Sequence, residues 1–538
     1  MPEPIKKNPS LESGKQIIAA IDIGTNSIHL VVASVNPRGI FKILESDKVS
    51  VRLGQHMTPD GDIDREGIRK TVTTMRQMKA LCAAWPCQIR AIATHAVRAA
   101  RNHQQLIEAV FKATRIRIEV VDGDEEGRLV FLGMKRALAL AKKAVLALDI
   151  GGGSTEILFG RGEKINHVTS LNLGAVNLSV EYGLMKPVDD HTLERLREGI
   201  AARLEPAIEG AKSQRFQVAV ASSGTAKALA SINVRTMRVR QGGDSNGQII
   251  RAQDLFDITA ALGQLRDPVL IRAKTGLDVG RSEIILAGAE LMSALTRGFG
   301  VSQWLLSSYG LREGAVIDTW ERMESEKTGG RRVDHVDVRE ESIRSFVTKF
   351  QIEKSTSART EKLALRIFDQ TSPWILGHVG PADRKHLRQL LSAATRIHDC
   401  GKFITRQSFH RHSHHLIVHS HLLGYTLDER NFMGLLARFH RKSVPPVTMD
   451  GGLAGDLAAD EWAAMRILAG MLRLASALSR TIRTRGRFRD VVIRKRGNLL
   501  QIGAVTSKNL LPVLDDYKTG KLCEALEKSW NIRISLDS

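Results

Sequence analysis

Two short stretches carry residues whose types and spacing suit phosphate chemistry. In LALDIGGGSTEIL, residues 146–158, an apolar run ends in Asp149 and passes into Gly151, Gly152 and Gly153, then Ser154 and Thr155. Glycines lack Cβ atoms, so backbone N–H groups can close on a ligand. A concave set of such groups binds anions. A carboxylate at the lip suits a phosphate-bound cation, because Mg²⁺ is held by one or two carboxylates together with phosphate oxygens. In AAIDIGTNSIHLVVA, residues 19–33, the order returns: Asp22, Gly24, Thr25, Asn26 and Ser27 match Asp149, Gly151, Gly152, Gly153 and Ser154, 127 residues apart. One glycine turn is weak evidence. Two at a fixed offset, each followed by a second apolar run, predict two similar lobes whose loops face each other across a cleft.

Five further groups could complete such a site. Glu125 and Glu126 open a helix after the acidic turn at Asp122. Two roles stay open for them: carboxylates favouring a helix N-terminus, or, for Glu126, a general base facing the cleft. Arg98, in THAVR, offers a fixed fork suited to bidentate phosphate contact, or is a solvated surface arginine. Glu156 is open between holding metal-bound water and a strand-face salt bridge. Ser223, Gly224 and Thr225 form a second glycine turn that either meets further phosphates or only turns the chain, and Arg281 is a candidate contact to a distal phosphate.

The elements that must position these residues alternate between strand and helix. Residues 16–50 read as a strand meander with a turn at Asn36–Gly39. Asp64–Trp85 has helical periodicity, with Ile68, Val72, Met75, Met78 and Leu81 on one face. Strands at 89–94 and 116–121 flank a helix near 104–112, and a helix from the acidic turn runs to about residue 142. The second lobe has strands near 165–171, 217–221 and 304–306, with a helix near 192–211. This is α/β alternation. A charged, glycine-bearing stretch, 323–334, reads as a linker. Long amphipathic helices follow to about residue 480, then a hairpin turning at Gly497–Asn498.

The 538 residues carry a net charge of +21, from 79 Lys and Arg against 58 Asp and Glu, which points to a polyanionic partner. Aromatics at 5% argue against base-stacking surfaces, and no nucleic-acid reading motif is present. Cys82, Cys87, Cys400 and Cys523 show no metal or disulfide spacing and read as free thiols in a reducing compartment. With no apolar leader and no membrane-length apolar run, a cytoplasmic protein without membrane contact is expected.

In motif order, Asp22–Ser27, Thr94-His95 with Arg98, Glu125-Glu126-Gly127-Arg128, Asp149–Glu156, Ser223-Gly224-Thr225 and Leu311-Arg312-Glu313-Gly314, the chain resembles the exopolyphosphatase / guanosine pentaphosphate phosphohydrolase family of the actin–Hsp70–sugar kinase superfamily. The resemblance covers residues 17 to about 320. It implies two ribonuclease H-like, actin-like lobes, 16–142 and 143–322, after a disordered N-terminus, 1–15. An all-α HD-like domain, 323–482, and a small α+β tail, 483–538, would follow. It implies Glu126 as catalytic base, Arg98 as the arginine gripping the terminal phosphate, and both glycine loops as the phosphate cradle. It supports Asp22 and Asp149 as Mg²⁺ or Mn²⁺ ligands, to which Glu156, from its place after the second loop, is added as a candidate. A homodimer is implied by the resemblance alone.

Residues 398–440 hold eight histidines. His398-Asp399 with Gly401-Lys402 looks like an HD signature, but Thr356 and Ser476 fall where an active site needs an upstream histidine and a downstream aspartate. A degenerate HD fold without its own catalysis is expected. His410, Arg411, His412, Arg438, His440, Arg441 and Lys442 are candidates for lining a channel for a long polyanion. The combined expectation is a processive exopolyphosphatase acting on inorganic polyphosphate. Guanosine pentaphosphate is the alternative substrate. A sugar kinase-like ATPase and a non-catalytic polyphosphate or guanosine tetraphosphate sensor are more distant alternatives.

Overall fold

The computed structural model describes residues 15–140, 143–239, 244–328, 337–377, 379–441, 457–485, 488–506, 523–528 and 530–537. Strand β1 (Gln16–Ile23), QIIAAIDI, is buried along nearly its whole length, as the central strand of a sheet covered on both faces must be. It continues through Gly24–Ser27 into β2 (Ile28–Val35) and β3 (Phe41–Val49), an antiparallel meander. β3 is the half-exposed edge. The helix Arg65–Cys82 starts where the Asp64 side chain accepts from the Gly67 N–H, and it crosses to β4 (Gln88–Ala93), parallel to β1. The helix His103–Thr114 then leads to β5 (Ile118–Val120), parallel to β4. The sheet order is β3-β2-β1-β4-β5.

The second sheet repeats that order. β6 (Ala144–Ile150), β7 (Thr155–Arg161) and β8 (Lys164–Leu171) form the meander. The helix Asp190–Gly210 crosses to β9 (Val218–Ser222), parallel to β6. After a small hairpin, β10 (Ile232–Asn233) and β11 (Arg238–Val239), the edge strand β12 (Ile249–Arg251) lies antiparallel to β13 (Gln303–Leu306), which pairs parallel to β9. The order β12-β13-β9-β6-β7-β8 is the first sheet's order with one strand added. The duplication legible in the two aspartate–glycine turns is therefore a duplication of fold.

Two expected boundaries shift. The helix at the acidic turn, Gly123–Ala137, stops where Leu138 turns extended, short of residue 142. The stretch read as a linker from 323 is still helical to Thr328, because the helix Leu311–Thr328 continues through helix-forming residues. Glu324 on that helix accepts from Gln16 Nε2 at 2.6 Å, tying it to the start of β1. The helix packs on Gly123–Ala137 and on β1, returning the chain from the second sheet to the first. The expected disordered N-terminus falls at 1–14, outside the described residues, with Lys15 as the first described position.

The chain divides into two units, residues 1–338 and 339–538. In the second, helices Val338–Lys349, Lys354–Ile375, Pro381–Ile397, Phe409–His419, Leu427–Phe439 and Ala459–Arg485 bury a single core. The strands β14 (Phe488–Arg496), β15 (Leu499–Thr506) and β16 (Arg533–Asp537) share that core through Val491, Ile493, Leu500, Ile502 and Ile534, so the tail does not stand apart as its own unit. Gln370 fastens the hairpin to the helix, donating to Val491 O at 2.8 Å and accepting from the Ile493 N–H at 2.9 Å. Among the described residues no helix is long and apolar enough to cross a membrane. All four cysteines are free.

Candidate active site

The two glycine loops adopt one turn. Gly24 N–H donates to Ser27 O at 3.1 Å, and Gly151 N–H donates to Ser154 O at 2.8 Å. They also meet. A Cβ on Gly152 would lie 3.2 Å from Thr25 Cβ and 3.5 Å from Asn26 N, and one on Gly153 would lie 2.6 Å from Thr25 Oγ1. The missing side chains are what allow the loops to close face to face.

Register then places whole rows of side chains on one sheet face. Across the first sheet Asp22 pairs with His29, and His29 with Lys48. Across the second, Asp149 pairs with Glu156, and Glu156 with Ser170. Equivalent positions of the repeat hold different titratable side chains: His29 and Glu156 are separated by the same 127 residues as the aspartates.

The acidic side of the site is buried and mutually repelling. Burial pushes Asp22 up to about 7, with Arg312 pulling it back and Asp149 and Glu313 adding to the rise. Asp149 is raised chiefly by burial, although Ser222 Oγ donates to its Oδ1 at 2.6 Å. Glu156, only 2% exposed, is held well above the usual carboxylate range by burial and by Glu126, and it accepts from Ser170 Oγ at 3.0 Å.

Glu126 reaches this cluster from its helix. Asp122 caps that helix by accepting from the Glu125 N–H at 2.8 Å. The helix then presses onto the second sheet, where a Cβ on Gly127 would sit 3.0 Å from Val168. It also crosses Leu311–Thr328 so closely that a Cβ on Gly314 would be 1.8 Å from Leu129 O. Glu126 is 7% exposed; burial raises it to about 7 against the pull of Arg98. Arg98 Nη1 donates to Glu126 Oε2 at 3.0 Å and to Val121 O at 2.8 Å. Glu125 turns elsewhere, to Arg128 at 2.6 Å, which leaves it a scaffold residue.

Within electrostatic reach of the acids lies a basic group, in which Lys48 and Lys227 join Arg281, the expected distal-phosphate contact, and Arg312 of the Leu311–Gly314 motif. Lys48, Lys227, Arg281 and Arg312 are close enough to perturb one another and His29. Burial first, then these cations, drive His29 down to about 3, so it is neutral. Lys227 Nζ donates to Ser308 O at 2.8 Å. Arg281 lies over Gly224, whose Cβ would come within 2.3 Å of Nη2; the glycine makes room for the guanidinium. Ser223 bends the chain there at a φ of 95°, a strained conformation for a side-chain-bearing residue. Lys227 could have been suspected from its place one helical turn after Ser223. Lys48 could not, since only strand pairing brings it to His29.

Three of the expected binding residues are corrected. The Thr155 hydroxyl is fully buried and spent on Leu173 O, so it is no phosphate donor. His410 and His440 are buried, 5% and 2% exposed, and cannot line an open channel. Arg411 and Arg441 are exposed, with His412 and Arg438 partly so, and Arg411 is near enough to depress Arg438. Lys442 lies outside the described residues.

Two sheets of one topology, each ending a central strand in an aspartate and a phosphate-sized turn, define a phosphate-handling class of actin-like fold. Residues 31–323 match the model of the Ppx/GppA phosphatase family, and residues 338–509 match Ppx/GppA phosphatase, domain III. The chain belongs to the Ppx/GppA phosphatase family. It is 25% identical over 489 residues to the guanosine-5'-triphosphate,3'-diphosphate pyrophosphatase of Pseudoalteromonas atlantica, spanning 90% of this chain and 88% of that one. Over 59% of the chain its fold is similar to that of an exopolyphosphatase from Cytophaga hutchinsonii, with 24% identity, a TM-score of 0.52 and 99% of that chain covered. The Aquifex aeolicus family member gives 24% identity, a TM-score of 0.50, and coverage of 57% and 99%.

Proposed function

We propose that the protein removes the terminal phosphate of inorganic polyphosphate. The carrying observation is the gathering, around the two facing glycine loops, of the carboxylates Asp22, Asp149, Glu126 and Glu156 and the cations Lys48, Lys227, Arg281 and Arg312 within electrostatic reach of one another. A phosphate chain needs both. The glycine loops cradle the terminal phosphoryl oxygens through backbone N–H groups, while the cations neutralise the following units. Arg98 holds the terminal group and keeps Glu126 aimed. Glu126 takes the proton of the attacking water as the P–O bond to the chain breaks, and neutral His29 can donate a hydrogen bond without adding charge.

The carboxylates raise one another's pKa, and a positive charge among them would relieve that repulsion; their oxygens do not share one ligand span, so a hard divalent cation would also draw on phosphate oxygens. Asp22 and Asp149, with Glu156, would hold Mg²⁺ or Mn²⁺, which supplies charge neutralisation at the phosphoryl oxygens. In the second unit, exposed Arg411 and Arg441 with partly exposed His412 and Arg438 support contact with a long polyanion, and the His398-Asp399 pair supports an HD-like reading of the helices.

Guanosine pentaphosphate is a second reading. The likeness to the Pseudoalteromonas atlantica pyrophosphatase over 90% of the chain favours it, and the same cations suit its phosphates. Comparing kcat/KM for long-chain polyphosphate and for the nucleotide decides between them. Release of phosphate from neither substrate, with Mg²⁺ present, overturns the reading.

A further inference from the structure

One cluster in the second unit plays no part in this phosphate chemistry. His398 caps the helix Pro381–Ile397, Asp399 follows it, and His440 caps the helix Leu427–Phe439. Both imidazoles are buried, and they meet edge to face with centroids 4.9 Å apart. In each ring Nδ1 points at a carbonyl in the last turn of its own helix: Thr395 O at 2.8 Å for His398, Ala437 O at 2.7 Å for His440. A carbonyl only accepts, so Nδ1 carries a proton in both rings, and Nε2 is the nitrogen that each neutral ring can offer to a metal. His398 Nε2 stands 3.4 Å from Asp399 Oδ1, and one donor atom from each of the three residues fits within a span of 4.8 Å.

We propose that His398, Asp399 and His440 form a site for a divalent transition metal within the second unit, built from none of the residues proposed to handle phosphate. A cation within the 4.8 Å span would be attracted by the carboxylate and by each neutral imidazole nitrogen. A tetrahedral zinc with bonds of about 2.0–2.2 Å holds its ligand atoms roughly 3.3 Å apart, matching the separation of His398 and Asp399. A small side-chain rotation brings in the third ligand. Histidines that bind metals are held in this way, with the second ring nitrogen donating to a carbonyl. Lys402, 46% exposed, pairs with the other oxygen, Oδ2, and leaves Oδ1 toward the rings. Imidazole with carboxylate favours zinc, iron or cobalt over Mg²⁺. Three protein ligands leave one coordination position open. Thr356 and Ser476 removed two ligands from the expected HD pattern, and His440 supplies a third from another helix.

The test uses the full chain, stripped by chelator and titrated with Co²⁺ under excess Mg²⁺. The expected result is one equivalent of Co²⁺ with intense, tetrahedral visible bands, displaced by Zn²⁺. Asp399→Asn and His440→Gln should each weaken binding at least about tenfold, while Asp22→Asn leaves the bands unchanged. Circular dichroism checks folding, and the half-buried, near-isosteric Asp399→Asn decides the matter if His440→Gln fails to fold. Absence of tetrahedral bands, equal affinity in folded Asp399→Asn, or loss of the bands in Asp22→Asn each overturns the site.

Discussion

Replacing Glu126 by glutamine tests the proposed mechanism most directly. The amide keeps the size of the side chain and can still accept from Arg98 Nη1, which lies 3.0 Å from Oε2. What it loses is the ability to take a proton. A positioned general base contributes roughly 10²–10⁴-fold, equal to about 3–5.5 kcal/mol of barrier at 1.36 kcal/mol per decade. Phosphate release from saturating polyphosphate should therefore fall by that factor, while polymer binding, measured separately, stays within about twofold. The pH dependence gives an independent mark. Burial places Glu126 at about 7. The active form is the carboxylate, so the wild-type rate should rise with pH through about 7 and fall roughly tenfold per unit well below it. The glutamine variant should lose that limb. Arg98 lowers the Glu126 pKa, so Arg98→Met should move the limb to higher pH. A glutamine variant with full turnover and an unchanged acid limb would refute the assignment of Glu126 as base.

Three other outcomes follow from the same geometry. Lys48→Ala and Arg281→Ala should raise KM for long-chain polyphosphate about tenfold or more with a smaller change in kcat, read from initial rates across chain lengths; each removes a charge from the basic group. Gly314→Ala should cost about 3 kcal/mol or more in thermal unfolding, because its Cβ would meet Leu129 O at 1.8 Å and drive apart the helices that seat Glu126. In EDTA the raised carboxyls contribute stability that is complete below about pH 4 and is lost as pH climbs through about 7. Asp22, moving from 3.8 to about 7, accounts for at most about 4 kcal/mol of that loss. Asp22→Asn should flatten the fall in melting temperature between pH 4.5 and 7.5, and Mg²⁺ should restore the wild type.

By itself the amino-acid sequence determined the local and repeated features. The turns after Asp22 and Asp149 were legible because glycine, aspartate and an apolar run occupy adjacent positions, and the offset of 127 residues announced two alike lobes. The helix that carries Glu126 was legible from its cap, Asp122, whose side chain acts within one turn. Tertiary structure decided whatever depends on strand pairing and close helix crossing. It set Lys48 beside His29 through the β2–β3 register, made Thr155 a buried anchor, and drew Arg281 over Gly224. It also took His440 out of an expected channel and put it against His398, on a neighbouring helix. The physical reason is one of range: a cap or a turn acts within four residues, whereas a charged cleft is assembled from strands and helices that meet only when their apolar faces are buried together.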